Sequence, residues 1–431
     1  MRSSTAWPCA FVILAAGCNG GQSGEPNEKP FTEARSSLAR ELNPDVSDDQ
    51  LASLADGNRA FALDMYSQLV SEQPDEGLFF SPYSISIALA MTYAGAAGST
   101  ADAMESTLHF QLEEPALHAA FDSVDLALGS RGEGAKGQDD QPFRLHVTNS
   151  IWGQQGVPFL DPFLDTLAVH YGAGLRLLDF SADAEAGREA INAWVEEQTE
   201  ERIVDLLPEG SIDASTLIVL VNAIYFNAAW ENKFEKTATI PGDFTTLGGS
   251  VVSVPMMKST EPLGYYAGAG VQAVEKPYDG GELSMVLIVP DSGQLASFEA
   301  SLTSASLREI LSGLQSQHGT LSMPKWSYDG ESISLQSVLT ALGMGVAFGD
   351  GADFSRLTKG EEILISGVYH QAFVAVDENG TEAAAATGVV GSRTSAPIPQ
   401  FDLRIDRPFI YLIRDIATDT IVFMGRVADP S

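Results

Sequence analysis

Asp377-Glu378-Asn379-Gly380-Thr381-Glu382-Ala383-Ala384-Ala385-Ala386-Thr387 is the stretch on which the reading of this chain turns. On propensity alone the four alanines favour a helix, because alanine is the best helix former and a poor strand former. The surroundings point the other way. His370 to Val376 alternates like a half-buried strand, and Phe409-Ile410-Tyr411-Leu412-Ile413 is a short apolar run of the kind found in a buried one. Pro397 and Pro399 lie before that second run. A small-sided segment with a glycine at its start, held between two strands, reads as a strand that has not yet joined a sheet. Residues two apart share one face of a strand. Thr381, Ala383, Ala385, Thr387 and Val389 form one such set, uncharged and without bulk. Glu382, Ala384, Ala386, Gly388 and Val390 form the other, and its charge can face outward.

The chain has 431 residues, 44% of them hydrophobic. That is enough for a large core, as one oversized domain or as two. It carries 24 basic and 58 acidic residues, a formal charge of -34. Such acidity argues against nucleic-acid binding and against anionic membrane surfaces, and it favours solubility. No apolar run beyond residue 20 approaches the ~18 residues that a membrane span requires.

Arg2, an apolar stretch over 10–16 and then small residues read as an export signal over residues 1–17. Leu14-Ala15-Ala16-Gly17-Cys18 resembles a bacterial lipoprotein box, with Ala15 where leucine is usual and Cys18 as the lipidated first residue. Ordinary cleavage after Gly17 is the alternative. The expected location is therefore outside the cytoplasm: an outer-membrane or cell-surface lipoprotein, or a periplasmic or extracellular protein. Membrane contact is expected only through a lipid on Cys18. Cys9 and Cys18 are the only cysteines, so the mature chain is expected to lack disulfides and to depend on its core. Residues 18–46, rich in Gly, Pro, Ser, Glu and Asn from 19 to about 44, read as a flexible tether, and 47–431 as the folded domain.

Within that domain, Ser47-x-x-Gln50 is a capping-box pattern. Leu51, Leu54, Ala55, Asn58, Ala62, Met65 and Leu69 then recur at helical spacing. A second helix is predicted from Ser81-Pro82, with proline in its first turn. Ala190, Ile191, Trp194 and Val195 mark the apolar stripe of another. Strands are predicted at 145–152, 217–227, 271–275, 283–290, 370–377, 408–414 and 421–427, and 129–141 reads as a loop. Helices in the first half and strand pairs in the last third imply an α+β fold with one large sheet and a smaller second one.

The sequence offers no catalytic constellation. None of the six histidines (His109, His118, His146, His170, His318 and His370) falls in a metal-ligand or His-Glu-x-x-His pattern, and there is no Gly-x-Ser-x-Gly elbow. Gly343-x-Gly345 lacks the strand-then-helix context of a dinucleotide site and reads as a turn. No metal, no cofactor and no enzymatic activity are expected.

Five further strings carry a family resemblance. They are Phe79-Phe80-Ser81-Pro82-Tyr83-Ser84-Ile85-Ser86; Leu220-Val221-Asn222-Ala223-Ile224-Tyr225-Phe226 with Trp230; Val254-Pro255-Met256-Met257; Asp402-Leu403-Arg404-Ile405-Asp406-Arg407-Pro408-Phe409; and Val422-Phe423-Met424-Gly425-Arg426-Val427. With the 377–387 stretch, and in this order, they resemble the serpins from about Leu51 to the C-terminus. The resemblance is to a bacterial serpin of inhibitory type. It implies a large central mixed β-sheet, smaller sheets, eight to nine helices and an exposed reactive-centre loop over about 378–400, in a monomer whose native fold is metastable. The helix around Trp194 would then lie across the front of the main sheet.

The resemblance also implies roles for particular residues. Glu378, Gly380, Thr381, Glu382, Ala383, Ala384, Ala385, Ala386 and Thr387 match the loop hinge. Ser81, Ser84, Asn222 and His370 match a buried hydrogen-bonded latch, the shutter, where two central strands part. Lys325, Glu378 and Trp230 match the breach at the top of that opening, with Lys325 and Glu378 as an exposed ion pair of about 0–1 kcal/mol. The implied activity is suicide-substrate inhibition of a serine protease, with cysteine proteases as further targets. The family's usual spacing from the hinge glycine would put the scissile bond at Thr394–Ser395, which suits elastase-like or subtilisin-like enzymes. A one-residue shift to Arg393–Thr394 would suit trypsin-like ones. A non-inhibitory serpin acting as a binding protein is the alternative, and the unbroken small-residue hinge argues against it. Asp102 and Glu105 stand in a helical segment where heparin-activated members carry bases, so no heparin-like cofactor is expected.

Overall fold

Ser47 starts the first helix, Asp48–Glu72, as its pattern predicts. Its hydroxyl accepts from the Gln50 amide, and the Gln50 side chain accepts from the Ser47 amide at 2.9 Å. This structure is a computed structural model that describes residues 30–360, 362–381 and 398–431. Cys18, the hinge residues from Glu382 to Thr387, and Arg393, Thr394 and Ser395 lie outside the described residues.

The second helix, Pro82–Tyr93, is buried on every side, so it forms a central post of the core rather than an amphipathic cover. The helix Ala184–Gln198 has the opposite character. Ile191, Trp194 and Val195 pack with Trp152 and Phe180 onto Val219, Val221 and Ala223, one face of the main sheet. Leu220, Ile224 and Phe226 on the other face join the large core beneath. Strand Ile218–Ala229 is therefore buried on both faces, which is why its sequence is a continuous apolar run rather than an alternation.

Among the described residues the main sheet has eight strands. In hydrogen-bonding order they are Thr32–Ala34, Leu175–Leu178, Arg144–Gln154, Ile218–Ala229, Gly380–Thr381, Gly367–Val376 and Trp326–Asp329, with Ile333–Ser334 also on 367–376. It is mixed: 367–376 runs parallel to 218–229, and 144–154 runs parallel to 175–178. Among the described residues the second sheet has nine strands, rather than being the smaller one. The cause is Val251–Gly268, an 18-residue strand that pairs with Ile240–Thr245 at one end, with Val271–Pro277 at the other, and with Gln315–Pro324 along its length. Pro255, Lys258, Glu261, Pro262 and Gly264 interrupt its apolar pattern and hide it from a periodicity search. Nine α-helices are present among the described residues, and none of the helices there is long and apolar enough to cross a membrane.

The tether expected over 18–46 ends earlier than predicted. The described residues from 31 onwards form one compact unit. Thr32–Ala34 adds an edge strand to the main sheet, and the Phe31 ring meets Trp152 edge-on at 5.0 Å. Arg40 ties the segment down through Asp122 at 2.8 Å and Asp125 at 2.6 Å. Backbone pairing and ion pairs do this work, and composition reveals neither.

Candidate functional site

The parallel ladder between strands 218–229 and 367–376 runs from Val219–Gly367 to Ile224–Ala372 and stops there. Beyond that point the two strands are no longer direct partners among the described residues. Phe373 to Val376 keep a partner on the far side, strand 326–329. At the top, Gly380 and Thr381 lie between the parted strands: Thr381 stands opposite Val376 on one side and Ala228 on the other. The opening is one strand wide, and the start of the alanine-rich segment already sits in it.

Gly380 is glycine for a steric reason. A Cβ there would lie 2.0 Å from the Ala228 carbonyl oxygen and 2.7 Å from the Ala229 Cα. Thr381 is fully buried, with its hydroxyl 2.8 Å from the Tyr278 hydroxyl. The Tyr278 ring stacks on Trp230, centroids 4.7 Å apart and planes at 9°. The carbonyls of three successive residues are held from the 230–234 segment. Trp230 Nε1 donates to the Asp377 oxygen at 2.9 Å, Phe234 N to Glu378 at 2.8 Å and Trp230 N to Asn379 at 2.8 Å. Gln138 donates to the Asp377 carboxylate at 2.6 Å.

Lys325 Nζ lies 2.8 Å from Glu378 Oε2, and Thr239 donates to Oε1 at 2.8 Å. The pair is not the exposed one expected, because the Glu378 side chain is only 7% exposed, against 36% for Lys325. Burial alone would raise the Glu378 pKa, but the hydrogen bonds from Lys325 and Thr239 outweigh it and hold the carboxyl below its ordinary value.

Two residues below the end of the ladder, Asn149, Asn222 and His370 stand side by side on three adjacent strands. Ser81 caps the helix 82–93 beneath them: its hydroxyl accepts from the Ser84 amide and donates to the Val422 carbonyl at 2.6 Å. The Ser81 amide donates to His370 Nε2 at 3.1 Å, so Nε2 is the unprotonated nitrogen. Nδ1–H therefore donates to Asn222 Oδ1. Asn222 Nδ2 reaches Ser84 Oγ at 2.6 Å and also Asn149, and Ser84 Oγ donates to Asn149 Oδ1 at 2.8 Å. The four residues singled out from sequence thus come together, and Asn149 completes the cluster. Its signal was a polar residue within a predicted strand. His370 is fully buried, and the loss of solvation drives its pKa down to about 3, opposed by its hydrogen bond at Asn222.

Among the described residues no group of three or more His, Cys, Asp or Glu is placed to hold a metal. The sequence model of the family described as "Serpin (serine protease inhibitor)" matches residues 56–430. An uncharacterized serpin-like protein of Thermococcus kodakarensis is 34% identical over 439 aligned positions, covering 100% of this chain and 99% of that one. The leukocyte elastase inhibitor of Bos taurus is 36% identical and covers 88% of this chain and 99% of its own. The native-state crystal structure of the thermophilic serpin tengpin superposes with a TM-score of 0.79 at 27% identity, over 93% of this chain and 99% of that one. The chain belongs to the serpin family.

Two outcomes follow from this geometry. Gly380→Ala forces a methyl into the Ala228 carbonyl, so it is expected to expel 377–381 from the opening and destabilise the protein by about 2 kcal/mol. A urea midpoint and the emission of Trp230 report both effects. His370 adds a pH dependence. An unfolded imidazole takes up its proton near pH 6.5, and the folded one only near 3. The unfolded chain is thus the better proton binder in between, and the stability that depends on the neutral ring is complete above pH 6.5 and falls as pH drops towards 3. Urea titrations at pH 7.5, 6 and 5 should show this decline in the wild type and a shallower one in His370→Gln.

Proposed function

We propose that this protein is an inhibitory serpin that traps a serine protease as a suicide substrate. The observation that carries the reading is the position of Gly380 and Thr381 between the two parted central strands. A strand added to such an opening gains main-chain pairing on both edges, at about 1 kcal/mol net per hydrogen bond. Thr381 already turns its side chain inward. At period two, Ala383, Ala385, Thr387 and Val389 would follow it inward, and none of them is charged or bulky.

The chemistry begins with the protease. Its serine attacks the Thr394 carbonyl carbon, the Thr394–Ser395 bond breaks, and the amine of Ser395 leaves with the C-terminal peptide. The loop, released at one end and esterified to the enzyme, enters the sheet from Gly380 onwards and carries the protease with it. The native state persists before cleavage because of a barrier, so its stability is kinetic. Thr394 suits an elastase-like or subtilisin-like pocket, and the relative from Bos taurus bears the name of an elastase inhibitor. The alternative register, Arg393–Thr394, suits a trypsin-like one. The N-terminal signal and Cys18 support action outside the cytoplasm, on a lipid anchor or free.

Incubation with trypsin-, elastase- and subtilisin-like proteases should give a covalent complex that survives boiling in detergent. Simple cleavage by every enzyme, with none retained, would refute the proposal. The mass of the released peptide, 395–431 or 394–431, identifies the bond. Ala385→Arg puts a charge on the inward face, so it is expected to abolish the complex and leave an efficiently cleaved substrate; retained trapping would contradict insertion.

A further inference from the structure

Lys276 is a buried cation beside this opening. It is the penultimate residue of the strand 271–277, and its side chain is 1% exposed. Its ammonium lies 4.6 Å from the Phe234 ring centroid and 5.5 Å from that of Trp230. It donates to Glu261 Oε1 at 2.7 Å and to the Asn232 carbonyl at 2.8 Å. Burial lowers its pKa, and Glu261, with Glu231, opposes that. An ammonium placed so deeply is costly unless it is paired, and an apolar side chain would fill the same space more cheaply.

The neighbours of Lys276 indicate what the charge does. Apart from Glu261, the polar and ring partners of its ammonium lie in the 230–234 segment, and that segment supplies the three donors to the Asp377, Glu378 and Asn379 carbonyls. Pro277 and Tyr278, the next two residues, hold the same segment. The Pro277 carbonyl accepts from the Glu231 amide at 3.1 Å, and Tyr278 stacks on Trp230. We infer that Lys276 is a positioning residue for the loop hinge: by fixing the Asn232 carbonyl and the Trp230 and Phe234 rings, it aims three donors at 377–379 and so sets how firmly the start of the loop is held in the sheet. This deepens the inhibitory reading, but it can be tested without a protease.

Hydrogen exchange at the Trp230 and Phe234 amides reads the contact directly, since each donates to the hinge. Lys276→Met keeps the length and removes charge and donor. Exchange at these two amides should then rise about tenfold, with no change in strand 283–290, and Lys276→Arg should restore at least half of the protection. Where the Met variant fails to fold, Glu261→Gln takes its place and should raise the same two rates about threefold. Exchange within twofold of wild type at both amides in a folded variant overturns the inference. So does an equal rise across the whole sheet, which marks a purely structural role. A wild type that traps no protease defeats the inhibitory reading alone, and the exchange rates still decide the role of Lys276.

Discussion

The rest of the structure depends on one interruption: the parallel ladder between strands 218–229 and 367–376 ends at Ile224 and Ala372. A parallel pair buried on both faces ordinarily keeps its pairing to the end, because each unmade backbone hydrogen bond in a dry interior is expensive. Here the strands diverge instead, and the start of a third strand occupies the top of the gap. That third strand must begin with glycine, because the Ala228 carbonyl leaves no room for a Cβ. Around it, the carbonyls of 377–379 need donors, and Trp230 and Phe234 provide them.

The polar row just below the interruption suits a joint of this kind. Apolar side chains across Asn149, Asn222 and His370 would give a cheaper core, since burying polar groups brings little net gain and a large penalty if any partner is lost. What the row provides is direction. Each hydrogen bond is satisfied in one arrangement of the three strands and of the helix start at Ser81, so the strands are held in a single register. The neutral His370 ring can serve there because burial keeps it unprotonated well below neutral pH. In the inhibitory reading, the same bonds must be broken and remade when a new strand enters. That makes the row a barrier to insertion as much as a source of stability.

Much of this was legible in the sequence wherever one residue type answered one local demand. Ser47 with Gln50 and Ser81 with Pro82 marked helix starts through their capping chemistry, and the apolar run within 217–227 marked a strand. The long strand 251–268 was not legible, because prolines and charges at its exposed positions erase the alternation. Nor was the docking of 31–46. Its strand pairs through backbone atoms that every residue carries, and Arg40 finds Asp122 and Asp125 over a separation of more than 80 residues. Tyr278, Thr239 and Gln138 escaped for the same reason. Each acts by a long-range contact with 377–381 that no local pattern encodes.

Charge completes the argument. The chain has only 24 bases against 58 acids, yet several bases are used inside the fold. Arg59, Lys276 and Arg426 are at most 2% exposed, and Arg426 binds the carbonyls of Gln73, Pro74 and Glu76. Acids are withdrawn too, with Asp122, Glu378 and Asp415 also buried, so the surface keeps the strongly negative balance of the composition. A field of one sign speeds encounter with partners of the other, and it does so at long range, before any side chain is recognised. In the inhibitory reading, a basic protease would be steered towards this protein whichever bond it cuts. In the inhibitory reading, the choice between Thr394–Ser395 and Arg393–Thr394 would belong to the protease's substrate pocket, which reads a side chain at contact. The two kinds of selection are independent, so the acidity of the surface is no argument for a trypsin-like target.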